Sequence, residues 1–112
     1  MPEEALRQVV LNLALNALDA TPLATDPPDA FRVRLAAATL EGVVEVRVED
    51  RGAGVAAVDR ERIFQPFFST KPGRPGGLGL AISRGLVERA GGRLDVVEAP
   101  GGGACFRLRF AR

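Results

Sequence analysis

Between Glu3 and Ala20 the apolar residues Leu6, Val9, Val10, Leu13, Ala14, Ala17 and Leu18 recur at three- and four-residue spacing. That spacing predicts a helix with one apolar face, which persists only if something covers it. Pro2 stands where it opens the helix, and Glu3 and Glu4 in the first turn favour the positive end of the helix dipole. The cover is written further along. Phe31, Val33 and Leu35 alternate with Arg32 and Arg34, and after Glu41-Gly42 the residues Val44, Val46 and Val48 alternate with Glu45, Arg47 and Glu49. Period-two alternation about a short turn predicts a β-hairpin with one wet face.

The remainder follows the same logic. Leu78 to Ala90 returns to helical spacing and stops at Gly91-Gly92, where a C-terminal cap is expected. Leu94, Val96 and Val97 form a third strand, and Cys105 to Phe110 a fourth, with Phe106, Leu108 and Phe110 on one face. Thr21–Asp29 and Pro66–Gly77, rich in Pro, are loops, and Asp59–Phe64 has room for one or two helical turns. Two helices with one apolar face each, and strands that alternate, predict an α/β (α+β) two-layer sandwich. Its sheet is mixed or mostly antiparallel, of about four to five strands, covered on one face by helices.

With 46% apolar and 26% charged residues in 112, the chain has the makings of one packed domain. A formal net charge of +1 argues against a run of phosphate contacts, so nucleic acid is not an expected partner. The longest apolar stretch, Val9 to Leu18, is interrupted by Asn12 and Asn16, which predicts no membrane contact by this segment. Cys105 is the single cysteine and the N-terminus lacks the pattern of a signal peptide, so a reducing, cytoplasmic setting is expected, whether or not a parent protein is membrane-anchored. No histidine occurs, so any histidine chemistry must come from outside these residues.

Three places are suited to ligand chemistry. Asn12 and Asn16 project from one side of the first helix, one turn apart, and an amide oxygen is a hard donor of the kind Mg²⁺ accepts alongside phosphate and water. Equally, such a pair is compatible with amides bonded at a core edge, and Asp19 one turn on with a solvated helix-end charge. Asp50-Arg51-Gly52-Ala53-Gly54 follows a strand, where a carboxylate can accept from an exocyclic amino group and the glycines leave room for a flat ring. Taken alone it is also an ordinary turn. Gly76-Gly77-Leu78-Gly79-Leu80 runs into a helix whose exposed N–H groups suit an anion. It is neither a Walker A loop nor a dinucleotide fingerprint, because no Gly-Lys-Ser/Thr follows and no strand precedes it. Phe64, Phe67 and Phe68 read as core contacts at the root of the Pro66–Gly77 loop.

In this order the pieces resemble the catalytic ATP-binding domain of sensor histidine kinases, in the superfamily that includes Hsp90, DNA gyrase B and MutL. Asn12 to Ala20 resembles the N box, Asp50 to Gly54 the G1 box, Ile63 to Phe68 the F box and Gly77 to Leu80 the G2 box. The stretch Pro66-Phe-Phe-Ser-Thr-Lys71-Pro is similar to the nitrogen-regulation and dicarboxylate-sensing branch. The resemblance implies the Bergerat ATP-binding fold over residues 1–112, as a fragment of a longer sensor kinase that lacks the sheet-forming residues family domains carry upstream.

It also implies roles for individual residues. Asn16 would coordinate Mg²⁺ with Asn12 nearby as catalytic residues, and Asp19 and Phe64 would belong to the nucleotide site. Asp50 would take the adenine amino group, and Gly52 and Gly54 would shape its pocket. Gly76, Gly77, Leu78, Gly79 and Leu80 would contact phosphates as part of the lid, with Lys71 (catalytic) and Arg74 reaching the γ-phosphate. ATP-hydrolysing members carry Glu where Asn12 stands, and an amide is no general base. The resemblance therefore favours transfer of the γ-phosphate to a histidine on a separate dimerisation domain, with a response regulator receiver domain as the indirect partner. A nucleotide-binding or binding-dead docking module and a serine-directed anti-sigma-factor kinase are the alternative readings. Two positions depart from the family pattern: Pro75 replaces the first Gly of the G2 box, and Ala104 replaces the Thr common before the last strand.

Overall fold

A computed structural model describes residues 1–20, 33–68 and 78–111. Helix α1 (Glu3–Ala20) starts on the carbonyl of Pro2, which accepts from Leu6 N at 3.0 Å. It buries Val9, Leu13 and Ala17 in one line, with Leu6 and Val10 packed at its flank. Leu18, expected on that face, is 42% exposed. Nine residues at 100° each carry it half a turn from Val9, so three- and four-residue steps have drifted off the buried line by that point.

Strands β1 (Val33–Leu40) and β2 (Val43–Asp50) form the expected hairpin, closed by Glu41 and Gly42, both at positive φ. Phe31 and Arg32 of the expected first strand, and the loop Thr21–Asp29, lie outside the described residues. Beyond β2 come two single-turn 3-10 helices, Ala57–Asp59 and Arg62–Phe64, where one or two helical turns were expected. Helix α2 (Gly79–Arg89) then leads to β3 (Arg93–Glu98) and β4 (Ala104–Ala111). The strand order is β1-β2-β4-β3, and every pairing among the described residues is antiparallel, so the mixed component of the expected sheet is not seen there.

The pairing register sorts the residues into two faces. Val48, Phe106 and Val96 lie in one row across β2, β4 and β3, and Val46, Leu108 and Leu94 in the next. These rows meet Val9, Leu13, Ala17 and Val87 of the helices in one core. Leu35 is in register with Val48 and so shares the helix-side face, yet it is 55% exposed. β1 and β3 are the two edge strands, and the helices cover the sheet from the β3 side across β4 to β2, burying Leu94 and Val96 at one edge while leaving Leu35 exposed at the other.

The opposite face is a lattice of charge. Arg107 donates to both oxygens of Asp95 at 2.9 and 2.7 Å, and Glu45 accepts from Arg47 Nε and Arg109 Nε, each at 2.6 Å. Arg47 and Arg107 stand directly opposite each other in register, a repulsive arrangement unless carboxylates flank it. The bonds from Arg107 hold the Asp95 carboxyl below its ordinary range, and Arg47, then Arg109, do the same for Glu45. A carboxylate with a depressed folded pKa stabilises the fold above its unfolded value, and that contribution disappears as pH falls through the folded value. Asp95→Asn is therefore expected to cost roughly 1 kcal/mol at pH 7. In urea titrations the variant and parent should converge as the pH falls below 3.8, the ordinary Asp value. A difference that persisted at low pH would show that the pair stabilises by packing instead.

Candidate functional site

The site is built around the end of β2. Paired on both sides, by β1 and β4, β2 delivers Asp50 into the interior, where it is 2% exposed. A buried carboxylate needs donors. Oδ1 accepts from Gly52 N at 2.9 Å and from Ala104 N at 3.1 Å, so one donor is local and the other arrives from the start of β4, 54 positions away. The departure at Ala104 removes a hydroxyl, but its backbone N–H serves Asp50 all the same.

Two glycines make the enclosure possible. A Cβ on Gly52 would fall on the carbonyl oxygen of Ala20, and one on Gly103 on the carbonyl oxygen of Asp50. Gly54, at φ +77, lies over Gly103, to whose carbonyl oxygen a Cβ there would come within 3.4 Å. The loop after β2, the β3–β4 turn and the last turn of α1 are thus in direct apposition. Asn16 sits one turn back from Ala20, on the flank of α1 that reaches this loop.

Both helix amides are half-buried. Asn12 Nδ2 donates to Ser83 Oγ of α2 at 3.1 Å, and Ser83 is fully buried. Asp19, in the last turn of α1, is exposed. At the other helix, Gly79 opens α2, and Leu78 precedes it with no side-chain cap. The first N–H groups of such a helix lack intrahelical partners. A Cβ on Gly79 would meet nothing within 4 Å among the described residues. Leu78 is 42% exposed and Leu80 packs against the core. Lys71, Arg74, Pro75, Gly76 and Gly77 lie outside the described residues.

The phenylalanines separate. Phe64 is core: it meets Phe106 edge-on at 6.1 Å, and the Arg84 guanidinium lies 4.5 Å above its ring while bonding to Glu61 at 2.8 Å. Phe68 packs at the core margin, whereas Phe67, expected with them as a core contact, is 75% exposed at φ +65. The turn 65–68 swings its side chain outward.

Among the described residues no group of three or more His, Cys, Asp or Glu is placed to hold a metal. A cation at this site would have to be one satisfied by few protein oxygens, and Mg²⁺ with phosphate and water is such an ion. The amide oxygens of Asn12 and Asn16 are donors of that kind, whereas the first N–H groups of α2 suit the phosphate and not the cation.

The model of the histidine kinase-, DNA gyrase B- and HSP90-like ATPases matches residues 1–112. The chain belongs to that family. It is 43% identical over 110 residues to the two-component sensor PprA of Pseudomonas aeruginosa, covering 96% of this chain and 12% of that protein. With the sensor histidine kinase ZraS of Klebsiella oxytoca it shares 42% identity over 103 residues, 92% of this chain and 21% of that one. The solved structure of full-length ShkA in complex with AMPPNP superposes with a TM-score of 0.78 at 39% identity, over 94% of this chain and 21% of that one. The chain's relatives include sensor histidine kinases, and it spans 12 to 21% of their length. No helix among the described residues is long and apolar enough to cross a membrane.

Sequence reasoning missed Ser83, Gly103 and the Ala104 N–H. A serine among the apolar positions of α2 and three successive glycines before a strand are the signals the sequence offers, and the structure puts all three glycines at positive φ.

Proposed function

We propose that this domain binds Mg-ATP and gives the γ-phosphate to a histidine on a separate helical dimerisation domain of a longer, cytoplasm-facing sensor kinase, which in turn serves a response regulator. The observation that carries the reading is the buried Asp50 carboxylate, anchored through one oxygen by Gly52 and Ala104 at the mouth of a glycine cradle. Its other oxygen accepts from the adenine amino group, while Gly52 and Gly54 leave the ring its space. Backbone N–H groups at Gly76, Gly77, Leu78, Gly79 and Leu80 take the phosphates, with Lys71 and Arg74 as the cations nearest the γ-phosphate.

Asn16, with Asn12 beside it, holds Mg²⁺, which when bound neutralises charge developing on the phosphates. Neither amide takes a proton at neutral pH, so water at the γ-phosphate is not activated and the bound nucleotide persists for a docked acceptor. With no histidine in the chain, the acceptor comes from elsewhere. Titration calorimetry with ADP and AMPPNP, with Mg²⁺ and with EDTA, tests this. Saturable one-to-one binding that needs adenine and tightens with Mg²⁺ is expected. Absence of binding at millimolar nucleotide would favour a docking module instead.

A further inference from the structure

Ser83 is a fully enclosed hydroxyl in a position where alanine would fill nearly the same volume with nothing to satisfy. Its oxygen accepts from Asn12 Nδ2, bridging 71 positions of sequence. Ser83 stands one turn after Gly79 on α2, and Asn12 one turn before Asn16 on α1. The bond is therefore a cross-brace set one turn behind each half of the proposed site, between the helix that carries the amides and the helix whose N-terminus, without a side-chain cap, takes the phosphates in the reading above. It also occupies the amino end of the Asn12 amide.

We infer that Ser83 is a positioning residue for Asn12: by accepting from Nδ2 it turns Oδ1 toward the metal and fixes α1 against α2. An amide without this partner can present its amino end, which repels a cation. The inference rests on the Mg-nucleotide reading above, and the metal is where its effect is read. Groups that orient a metal-side ligand are worth roughly tenfold in metal affinity or more.

The test is calorimetry with AMPPNP, in Mg²⁺ and in EDTA, on the whole chain carrying Ser83→Ala, Ser83→Cys, Asn12→Ala, or Asn12→Ala with Ser83→Ala. Cysteine keeps the branching in a slightly larger side chain and supplies only a weak acceptor. The expected result is that both Ser83 variants lose roughly tenfold of the affinity gained from Mg²⁺. Binding in EDTA should stay within about twofold of the parent, and the Ser83→Ala effect should vanish in the Asn12→Ala background. An unchanged Mg²⁺ gain overturns the inference, as does an equal loss in Mg²⁺ and EDTA, or a Ser83→Ala effect that survives without Asn12. A parent chain with no Mg²⁺ gain would instead remove the metal reading, and this inference with it.

Discussion

Asp50→Asn is expected to lower ADP affinity at least about a hundredfold, or about 2.7 kcal/mol, while the melting temperature changes by only a few degrees. The reasoning starts from the division of labour within the carboxylate. Oδ1 accepts from Gly52 N and Ala104 N, and asparagine keeps an acceptor oxygen for both. The substitution then places an NH₂ where the second oxygen stood, which in the proposed site faces the adenine amino group, so a donor would meet a donor. Rotating the amide does not relieve this, because the NH₂ would then confront two backbone N–H groups inside a residue only 2% exposed. A guanine carries a carbonyl at the corresponding ring position, so the preference for ADP over GDP should narrow in the same variant. Unchanged ADP affinity, measured by calorimetry beside a thermal melt, would place adenine away from Asp50.

Much of this site is local in sequence, and that part was readable. Asp50 ends an alternating run and is followed at once by Gly52 and Gly54, so a carboxylate at a strand end over a glycine loop follows from adjacency alone. Asn12 and Asn16 are one helical turn apart wherever the helix goes. What periodicity does not carry is coverage. Leu35 alternates correctly and lies on the helix-side face, but of the two edge strands only β3 is fully covered by a helix, so Leu94 is buried where Leu35 is exposed. Phe64 reads as a core contact at the root of a loop, and its ring does close the core, but that its partner is Phe106 depends on the sheet register. The partners that complete the site, Ala104 for Asp50 and Ser83 for Asn12, arrive from 54 and 71 positions away and depend on tertiary packing.

The dependence on a distant turn gives the second large effect. Gly103→Ala is expected to destabilise the fold by at least about 3 kcal/mol and to abolish measurable ADP binding. Gly103 has φ +90, a conformation that costs a side-chain-bearing residue roughly 1–2 kcal/mol by itself. The added methyl would also fall on the Asp50 carbonyl oxygen, a backbone atom with no rotamer to escape into. Relief requires β4 and the loop after β2 to separate, which breaks the bond from Ala104 N to Asp50. Gly102 supplies the control one residue earlier. Its φ is +103, yet a Cβ there meets nothing within 4 Å, so Gly102→Ala should lose only the backbone contribution, roughly 1–2 kcal/mol, and bind ADP nearly as the parent does. Urea titration and calorimetry on the pair separate backbone strain from close approach. Equal costs would make 101–103 an ordinary hairpin turn. Unequal costs, with binding lost only in Gly103→Ala, would mean that the adenine carboxylate is held by a turn the chain reaches half its length later, which is why the strand-end motif cannot bind nucleotide until β4 is in the sheet.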